Sequence, residues 1–201
     1  MTQGPGPALI KTPSPVKKER LPFLAGAVFL TALVALFGIP WLTAVMVLLA
    51  AEVFWFFRDP ERTVPSGDNL VVSPADGKVL QVSEVEEERF IKDRAKKISI
   101  FLNIFDVHVN RIPASGRIRG ITYQPGKFLA TNKDLASKEN EQNAVFLETV
   151  TGHRMVFIQV AGLIARRILC WVQEGGEVEK GERYGMIRFG SRTDIFLLID
   201  T

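Results

Sequence analysis

The sequence is poor in the residues that build metal centres and disulfide frameworks. Its 201 residues include one cysteine, Cys170, and two histidines, His108 and His153. A single cysteine excludes an internal disulfide, and two histidines would need carboxylates to complete a zinc site. We therefore expect no metal centre. Cys170 lies in an apolar run and is expected to be an inert core thiol, and His153 is expected to be an exposed turn residue.

A strong excess of either charge is also missing. The net charge is +3, from 25 basic and 22 acidic residues. Such a mild excess does not by itself indicate a nucleic-acid partner, and we expect none. The glycine-rich stretch 174–182 lacks the lysine-serine ending of a phosphate-binding loop, so it is interpreted as hairpin turns.

Charge is almost absent from residues 21–57, where Glu52 is the only charged residue. Gly38-Ile39-Pro40 divides this run into halves of about 17 residues, near the lower limit for a membrane span. We predict a membrane-associated helical hairpin over 21–57 with both ends in the cytoplasm, after a disordered basic tail over 1–20. A hairpin buried in a soluble core and a re-entrant insertion are the alternatives. The flanking basic residues are Lys17, Lys18, Arg20, Arg58 and Arg62.

Residues 58–201 have a β pattern, in which short apolar runs alternate with glycine, proline and asparagine turns. The spacing of roughly 10–15 residues predicts a mainly β domain, a compact barrel or sandwich, after the hydrophobic hairpin. The charged stretch from Glu84 to Lys97 is expected to be a loop or a short helix, and the polar stretch 131–143 an ordered excursion near a site. The apolar runs are 70–72, 78–82, 98–105, 117–123, 144–150, 155–161, 164–172, 185–189 and 195–199.

Two short stretches offer ambiguous candidates for chemistry. Asp76 lies in a Pro-Ala-Asp-Gly turn, where aspartate is often only a turn former. Arg166 and Arg167 are adjacent, so in a strand one could bind a phosphate or carboxylate while the other is solvated. A purely surface role fits the two arginines equally well.

A third stretch contains His108. In a strand, alternate residues face the same side, so Asp106, His108 and Asn110 would share a face. A histidine beside an aspartate can act as an acid-base pair. Simple solvent exposure of that face is the equal alternative.

Five motifs occur together and in order, and each is weak alone. Their combination resembles the short bacterial and archaeal form of phosphatidylserine decarboxylase proenzyme, over about residues 50–199. The motifs are Phe57–Pro60, Ser73–Gly77, Phe105–Arg111, Ala161–Ile168 and Arg188–Arg192.

The resemblance implies that the chain cuts itself between Gly190 and Ser191. The Ser191 hydroxyl would attack the Gly190 carbonyl, and β-elimination would then convert Ser191 into a pyruvoyl cofactor at a new N-terminus. The products would be a large chain, 1–190, and a small chain, 191–201. The family usually continues past this point with further strands, whereas this sequence stops at Thr201, so the small chain would have only about eleven residues; a truncated sequence is the alternative.

The resemblance also implies the reaction of the mature enzyme. The pyruvoyl carbonyl would form a Schiff base with the amine of phosphatidylserine and accept electrons as carbon dioxide leaves. The product would be phosphatidylethanolamine, made in phospholipid biosynthesis on the cytoplasmic side of the cell membrane. Another serine-headgroup lipid, such as archaetidylserine, would use the same reactive atoms. The sequence leaves the oligomeric state undecided, and a homo-oligomer is one alternative.

Residue roles follow from the matched motifs. Asp76 corresponds to an aspartate thought to support cleavage. His108 is expected to move protons in both cleavage and decarboxylation. Long members carry a second histidine where this sequence has Arg111, so another group as the cleavage base is the alternative. Arg111, Arg166 and Arg167 are expected to contact the anionic substrate.

A non-catalytic function is the competing hypothesis. The turns near Asp76 and Gly175 are also similar to those of lipoyl or biotinyl carrier domains, which would make the chain a membrane-anchored β module. Those domains present a lysine at a hairpin tip beside hydrophobic residues. No such lysine motif is present in the sequence.

Overall fold

The computed structural model describes residues 8–9, 14–88, 91–128, 139–162, 167–188 and 191–198. Most of the predicted excursion at 131–143 lies outside the described residues, as do Arg166 and Gly190. The helices are α1 (Val16–Leu36) and α2 (Pro40–Phe56). The strands are β1 (Ala8–Leu9), β2 (Thr63–Val64), β3 (Lys78–Glu87), β4 (Asp93–Leu102), β5 (Val109–Arg111), β6 (Gly116–Gln124), β7 (Gln142–Thr149), β8 (Arg154–Ala161), β9 (Ile168–Cys170), β10 (Glu177–Val178), β11 (Arg183–Ile187) and β12 (Ser191–Leu198).

The helices α1 and α2 form a hairpin within a compact unit of their own, Thr12–Pro60. Gly38, at φ 69°, and Pro40, at the first turn of α2, make the sharp connection between them. The start of α1 lies beside the end of α2, because the Arg20 guanidinium is 5.8 Å from the centroid of the Phe54 ring. The hairpin therefore brings its two basic ends together.

Helix α1 is long and apolar enough to cross a membrane, as judged by length and composition. Helix α2 is apolar but shorter, at 17 residues. Helix α1 begins at Val16, so Lys17, Lys18 and Arg20 belong to its first turns, although they were predicted to lie in a disordered tail.

In the second unit, β1 and β2 pair as a small two-stranded sheet, and the other strands form two larger sheets that pack face to face. The larger has the order β10-β6-β7-β8-β12-β4-β3, and the smaller has the order β5-β11-β9. Phe157 of β8, Tyr184 of β11 and Ile195 of β12 are buried in one apolar cluster between the sheets. The predicted mainly β fold, with its apolar helices at the N-terminus, is confirmed.

Strand β12 has both faces covered. Ile195 faces the core between the sheets, whereas Phe196 and Leu198 pack on the opposite face against the cluster that contains Val156 and Ile158. The run 195–199 is therefore apolar without strict alternation. A strand buried on both faces is expected to read this way.

Within the charged stretch from Glu84 to Lys97, residues 84–87 belong to β3 and residues 93–97 to β4, so the predicted loop or short helix is wrong for these residues. Strands β3 and β4 pair along their length, and the Arg94 guanidinium is 2.6 Å from the Glu84 carboxylate across the pair. Lys92 has a positive φ of 55° in the turn. The apolar run 78–82 predicted the start of β3, but its charged second half gave no strand signal, because an edge strand needs little apolar character.

Residues 70–72 were predicted to begin the β pattern, and the structure shows an extended loop there. The Val72 N–H donates to the carbonyl of Pro113 at 2.9 Å, outside any strand. A short apolar run can be ordered by a single backbone contact without joining a sheet.

We predict that Phe157→Ala lowers the free energy of unfolding by about 3–5 kcal/mol, the usual cost of removing a fully buried ring. The Phe157 ring packs edge-on against Tyr184 at a centroid distance of 4.7 Å. The shift of the urea midpoint measures the effect. Phe157→Leu should lose less, and Val150→Ala, at an exposed position, should change little. Equal midpoints for Phe157→Ala and Val150→Ala would contradict this packing.

Candidate functional site

Ser191 opens β12, a central strand of the larger sheet. Its backbone pairs with Leu102 of β4 on one side and with Ala161 of β8 on the other. The side chain is buried, and its hydroxyl has no hydrogen-bond partner among the residues that the structure describes. A buried polar group left unpaired costs about 1–3 kcal/mol. Such a group in a native protein calls for an explanation, and a chemical role is one.

His108 is buried immediately before β5. Its Nδ1 lies 2.9 Å from the main-chain oxygen of Asp106. Because a carbonyl oxygen can only accept, Nδ1 carries the hydrogen of this bond. In the neutral ring, Nε2 is then the nitrogen that can accept a proton, which is the form that a general base needs.

A short series of contacts links the backbone of His108 to the backbone of Ser191 through Ile187 and Ala161. The Ile187 N–H donates to the His108 carbonyl at 3.4 Å. Ile187 packs against Ala161 in a buried cluster, and Ala161 is the β8 partner of Ser191. These contacts connect His108 to Ile187, Ile187 to Ala161, and Ala161 to Ser191, across the two packed sheets.

Next to these contacts, a network of buried side-chain amides links β5, β7, β8 and β12. Asn110 donates from Nδ2 to Thr193 Oγ1 at 3.3 Å and accepts at Oδ1 from Gln159 Nε2 at 2.9 Å. Gln159 Oε1 in turn accepts from Asn143 Nδ2 at 3.2 Å. A Cβ at Gly185 would come within 2.7 Å of Gln159 Nε2, so glycine leaves the space for this amide. The network fixes the position of β5 against β12.

Asp76 lies in a different environment at the same end of the sheet. Its carboxylate is paired with the Arg62 guanidinium, and its side chain is 41% exposed. It lines a cavity of about 160 Å³ together with Arg62 and Arg111. The described lining of this cavity does not include His108 or Ser191.

The alternation of the chain explains this separation. Val107 and Val109 line the cavity of Asp76, whereas His108 and Asn110 are directed into the domain, because successive residues of an extended chain point in opposite directions. Asp76 and Arg111 therefore share the lining of one cavity, whereas the side chains of His108 and Ser191 are buried in the domain.

Asp106 lies in a turn, so the predicted common strand face of Asp106, His108 and Asn110 is wrong for Asp106, whereas His108 and Asn110 are both buried in the domain. Residues 103–108 form a turn and an irregular segment, not a strand. The Asp106 carboxylate accepts the Asn103 N–H at 2.8 Å within that turn. Asn residues that can bond to local backbone groups favour turns over strands, and the sequence supplies one at position 103.

The two described arginines among the proposed substrate contacts, Arg111 and Arg167, have different hydrogen-bond partners. Arg111 donates from Nη1 to the Gly181 carbonyl at 2.9 Å. Arg167 is exposed, and its carbonyl accepts the Arg188 N–H at 3.2 Å, three residues before Ser191 in the chain. Arg166 is outside the described residues. A role of these arginines in substrate binding stays a prediction.

The remaining cysteine and histidine have surroundings that fit a structural role. Burial raises the pKa of the Cys170 thiol, although its hydrogen bonds with Val172 and Asn143 act in the opposite sense. A raised pKa keeps the thiol protonated and unreactive near neutral pH. His153 is exposed in the turn after β7.

Sequence reasoning missed a buried charge cluster on the other face of β12. Arg192 Nε lies 2.6 Å from Asp194 Oδ1, and Arg192 Nη2 donates to Ser99 Oγ at 2.8 Å. Lys97 Nζ is 3.2 Å from Asp194 Oδ2. The signal was the alternation of Arg192 and Asp194 at the start of an apolar strand, which puts both charges on one covered face.

Comparisons with known proteins agree on one family. A family model described as phosphatidylserine decarboxylase matches residues 49–200. The chain is 47% identical to the phosphatidylserine decarboxylase proenzyme of Syntrophus aciditrophicus, over 96% of this chain and 91% of that protein. It is 50% identical to the proenzyme of the same name from Symbiobacterium thermophilum, over 92% and 86% of the two chains. The corresponding protein of Desulfotalea psychrophila is 44% identical, over 93% and 87%.

We predict that Thr193→Val lowers the free energy of unfolding by about 1–3 kcal/mol, because Asn110 Nδ2 would lose an acceptor in a buried position. Thr193→Ser keeps the hydroxyl and should lose less, although it removes a methyl group. Urea denaturation of the two variants measures the difference. If Thr193→Val is as stable as the wild-type chain while Thr193→Ser is less stable, the hydrogen bond from Asn110 to Thr193 does not stabilise the fold.

Proposed function

This chain belongs to the phosphatidylserine decarboxylase family, and from that premise we propose that it converts phosphatidylserine to phosphatidylethanolamine with a pyruvoyl group made from its own Ser191. The buried hydroxyl of Ser191, which has no hydrogen-bond partner among the described residues, is the observation that carries the proposal. The carrier-domain alternative is set aside, because relatives over more than nine-tenths of the chain are named as decarboxylase proenzymes.

The first proposed step is cleavage before Ser191. The hydroxyl oxygen attacks the carbonyl carbon of Gly190, the amide C–N bond breaks, and an ester and a free amine result. Removal of the Cα proton of residue 191 then expels the Gly190 carboxylate and leaves a carbon-carbon double bond. Hydrolysis releases ammonia and gives the ketone. A hydroxyl without a competing hydrogen bond is available for this attack.

His108 is the proposed base for the hydroxyl proton. Its Nδ1 is held by the Asp106 carbonyl, which leaves Nε2 to accept. The contacts through Ile187 and Ala161 support a position close to Ser191. The amide network one row away supports the same arrangement, since it restrains β5 and β12 together.

Asp76 is proposed to position the turn that borders this end of the sheet. It precedes Gly77, where a Cβ would come within 2.2 Å of the Phe101 carbonyl oxygen. This tight contact seats the turn beside Leu102, the β4 partner of Ser191. The ion pair with Arg62 and the bond from the Arg111 N–H to the Pro74 carbonyl, at 2.9 Å, support a fixed turn.

When present, a pyruvoyl group supplies a carbonyl that condenses with the substrate amine and accepts the electrons of the breaking carbon-carbon bond. The burial of position 191 fits this group, because water is kept from the reacting atoms. We propose that His108 returns a proton to the carbon that has lost carbon dioxide.

We propose that the helical hairpin keeps the enzyme at its lipid substrate, inserted from the cytoplasmic side of the membrane. Large apolar side chains of both helices are exposed, including Phe29, Leu36 and Trp41. The basic residues gather at the open end of the hairpin, beside the Arg58 guanidinium stacked on Trp55 at 4.5 Å. This distribution favours cytoplasmic ends by the positive-inside rule.

We predict that the purified wild-type chain consists of two polypeptides, 1–190 and 191–201, and that Ser191→Ala abolishes both cleavage and decarboxylation. Intact-mass spectrometry reports the two fragments and the pyruvoyl end together. Ser66→Ala, at an exposed loop position, is the matched control and should be processed normally. An active preparation that stays one intact chain would sink the proposal.

We predict that His108→Ala slows self-cleavage by about 10²–10⁴-fold, the usual contribution of a general base. His153→Ala is the control, because the chain has only these two histidines. The fraction cleaved is followed by gel electrophoresis after synthesis. Equal cleavage rates for the two variants would assign the base to another group.

A further inference from the structure

A short turn carries two exposed apolar side chains next to the candidate site. The turn is Asn103–Asp106, between β4 and His108, and Ile104 is 41% and Phe105 62% exposed. Adjacent exposed apolar residues on a polar turn mark an interaction surface more often than scattered single ones do.

The turn is held by hydrogen bonds of its own. The Asn103 N–H donates to Asp106 Oδ2 at 2.8 Å, and the Phe105 N–H donates to Asn103 Oδ1 at 2.8 Å. The Asp106 N–H donates to the Asn103 carbonyl at 3.0 Å. These bonds hold the turn that carries Ile104 and Phe105, so ordering it on a partner would cost little further entropy.

The position of the turn is defined by the sheet. Leu102 ends β4 and pairs with Ser191, so the turn follows directly from the strand that flanks the serine. Leu197, at the other end of β12, pairs with Met155, beside the turn after β7. That opposite turn presents Val150, which is 64% exposed and serves as a reference point far from Ser191 along the strands.

Basic residues lie at the same end of the sheet as the apolar turn. Lys78 is exposed and pairs with Phe101, one residue before Leu102. Arg167 is exposed, and its backbone contacts Arg188, just ahead of Ser191. The carboxylates of Asp76 and Asp106 at this end are engaged by Arg62 and by the turn backbone. Apolar tips beside cations suit an anionic lipid surface.

We propose that the Asn103–Asp106 turn is a membrane contact of the β domain, with Ile104 and Phe105 inserted into the interface of the bilayer that holds the substrate. The inference rests on the proposed function, because a lipid substrate gives this end of the sheet a reason to meet a bilayer. The contact sets the Ser191 end of β12 at the level of the lipid headgroups, independently of the helical hairpin.

The kinetic test compares one enzyme on two substrates. Phe105→Asp in the full chain should lower kcat/KM for long-chain phosphatidylserine in vesicles by about 10- to 100-fold, as expected from removing one buried aromatic side chain from the interface. Turnover of a short-chain, monomeric phosphatidylserine and self-cleavage should be unchanged, which also shows that the variant folds. Phe105→Trp should retain activity on vesicles, and Val150→Asp is the matched control.

Three results would overturn the proposal. The first is an equal loss on both substrates, which would indicate damage to the site. The second is no loss on vesicles. The third is a change from dimer to monomer for Phe105→Asp with unchanged kinetics on vesicles, which would assign the turn to a second copy of the chain.

A depth measurement separates this proposal from the proposed function. A nitroxide is attached after Phe105→Cys or Val150→Cys, each in a Cys170→Ser background, and the full chain is placed in vesicles of phosphatidylcholine and phosphatidylglycerol. Power-saturation spectroscopy should locate the label at position 105 within the interface and the label at position 150 in water. A label at position 105 that is as accessible to water as the label at 150 refutes the membrane contact. If position 105 lies in the interface but the wild-type chain decarboxylates neither substrate, the proposed function is refuted and the membrane contact is not.

Discussion

The pairing of β12 on both of its edges is the constraint on which the rest of the domain depends. Every residue from Ser191 to Leu198 pairs with β4, and the strand pairs with β8 up to Leu197. The backbone of a central strand is hydrogen-bonded on both edges, so the first residue of β12 is held in register by β4 and by β8. The site is therefore built from the middle of a sheet outward, and its loops are attached to a rigid reference.

Polar side chains on both faces of β12 maintain that register at a cost in desolvation. On the inner face Asn110 donates to Thr193 and accepts from Gln159, and on the outer face Lys97 and Ser99 bind the Arg192–Asp194 pair. Buried polar groups stabilise a fold only when they are paired, and these are. The Ser191 hydroxyl differs from them, since no described residue satisfies it.

Much of the architecture could be predicted from the sequence, because the signals were local. Apolar runs predicted β7, β8 and β12, and the charge-poor segment with its Gly-Ile-Pro break predicted the two helices. Apolar runs predicted the start of β3 and the end of β4, but their charged parts were missed, since a solvent-exposed edge strand can contain many charged residues. The geometry of the site was harder still. Asn110 and Gln159 are 49 positions apart, and no local pattern shows that two amides meet across packed sheets.

The central place of β12 has a consequence for the life of the molecule after a cut before Ser191. The short fragment would stay in the sheet without a covalent link, held by strands on both edges and by the Arg192–Asp194 cluster. Regaining it after loss would require β4 and β8 to separate and readmit a strand between them, which is far slower than adding one at an edge. Each molecule would then mature once, and damage to its small chain could not be repaired by exchange with another molecule.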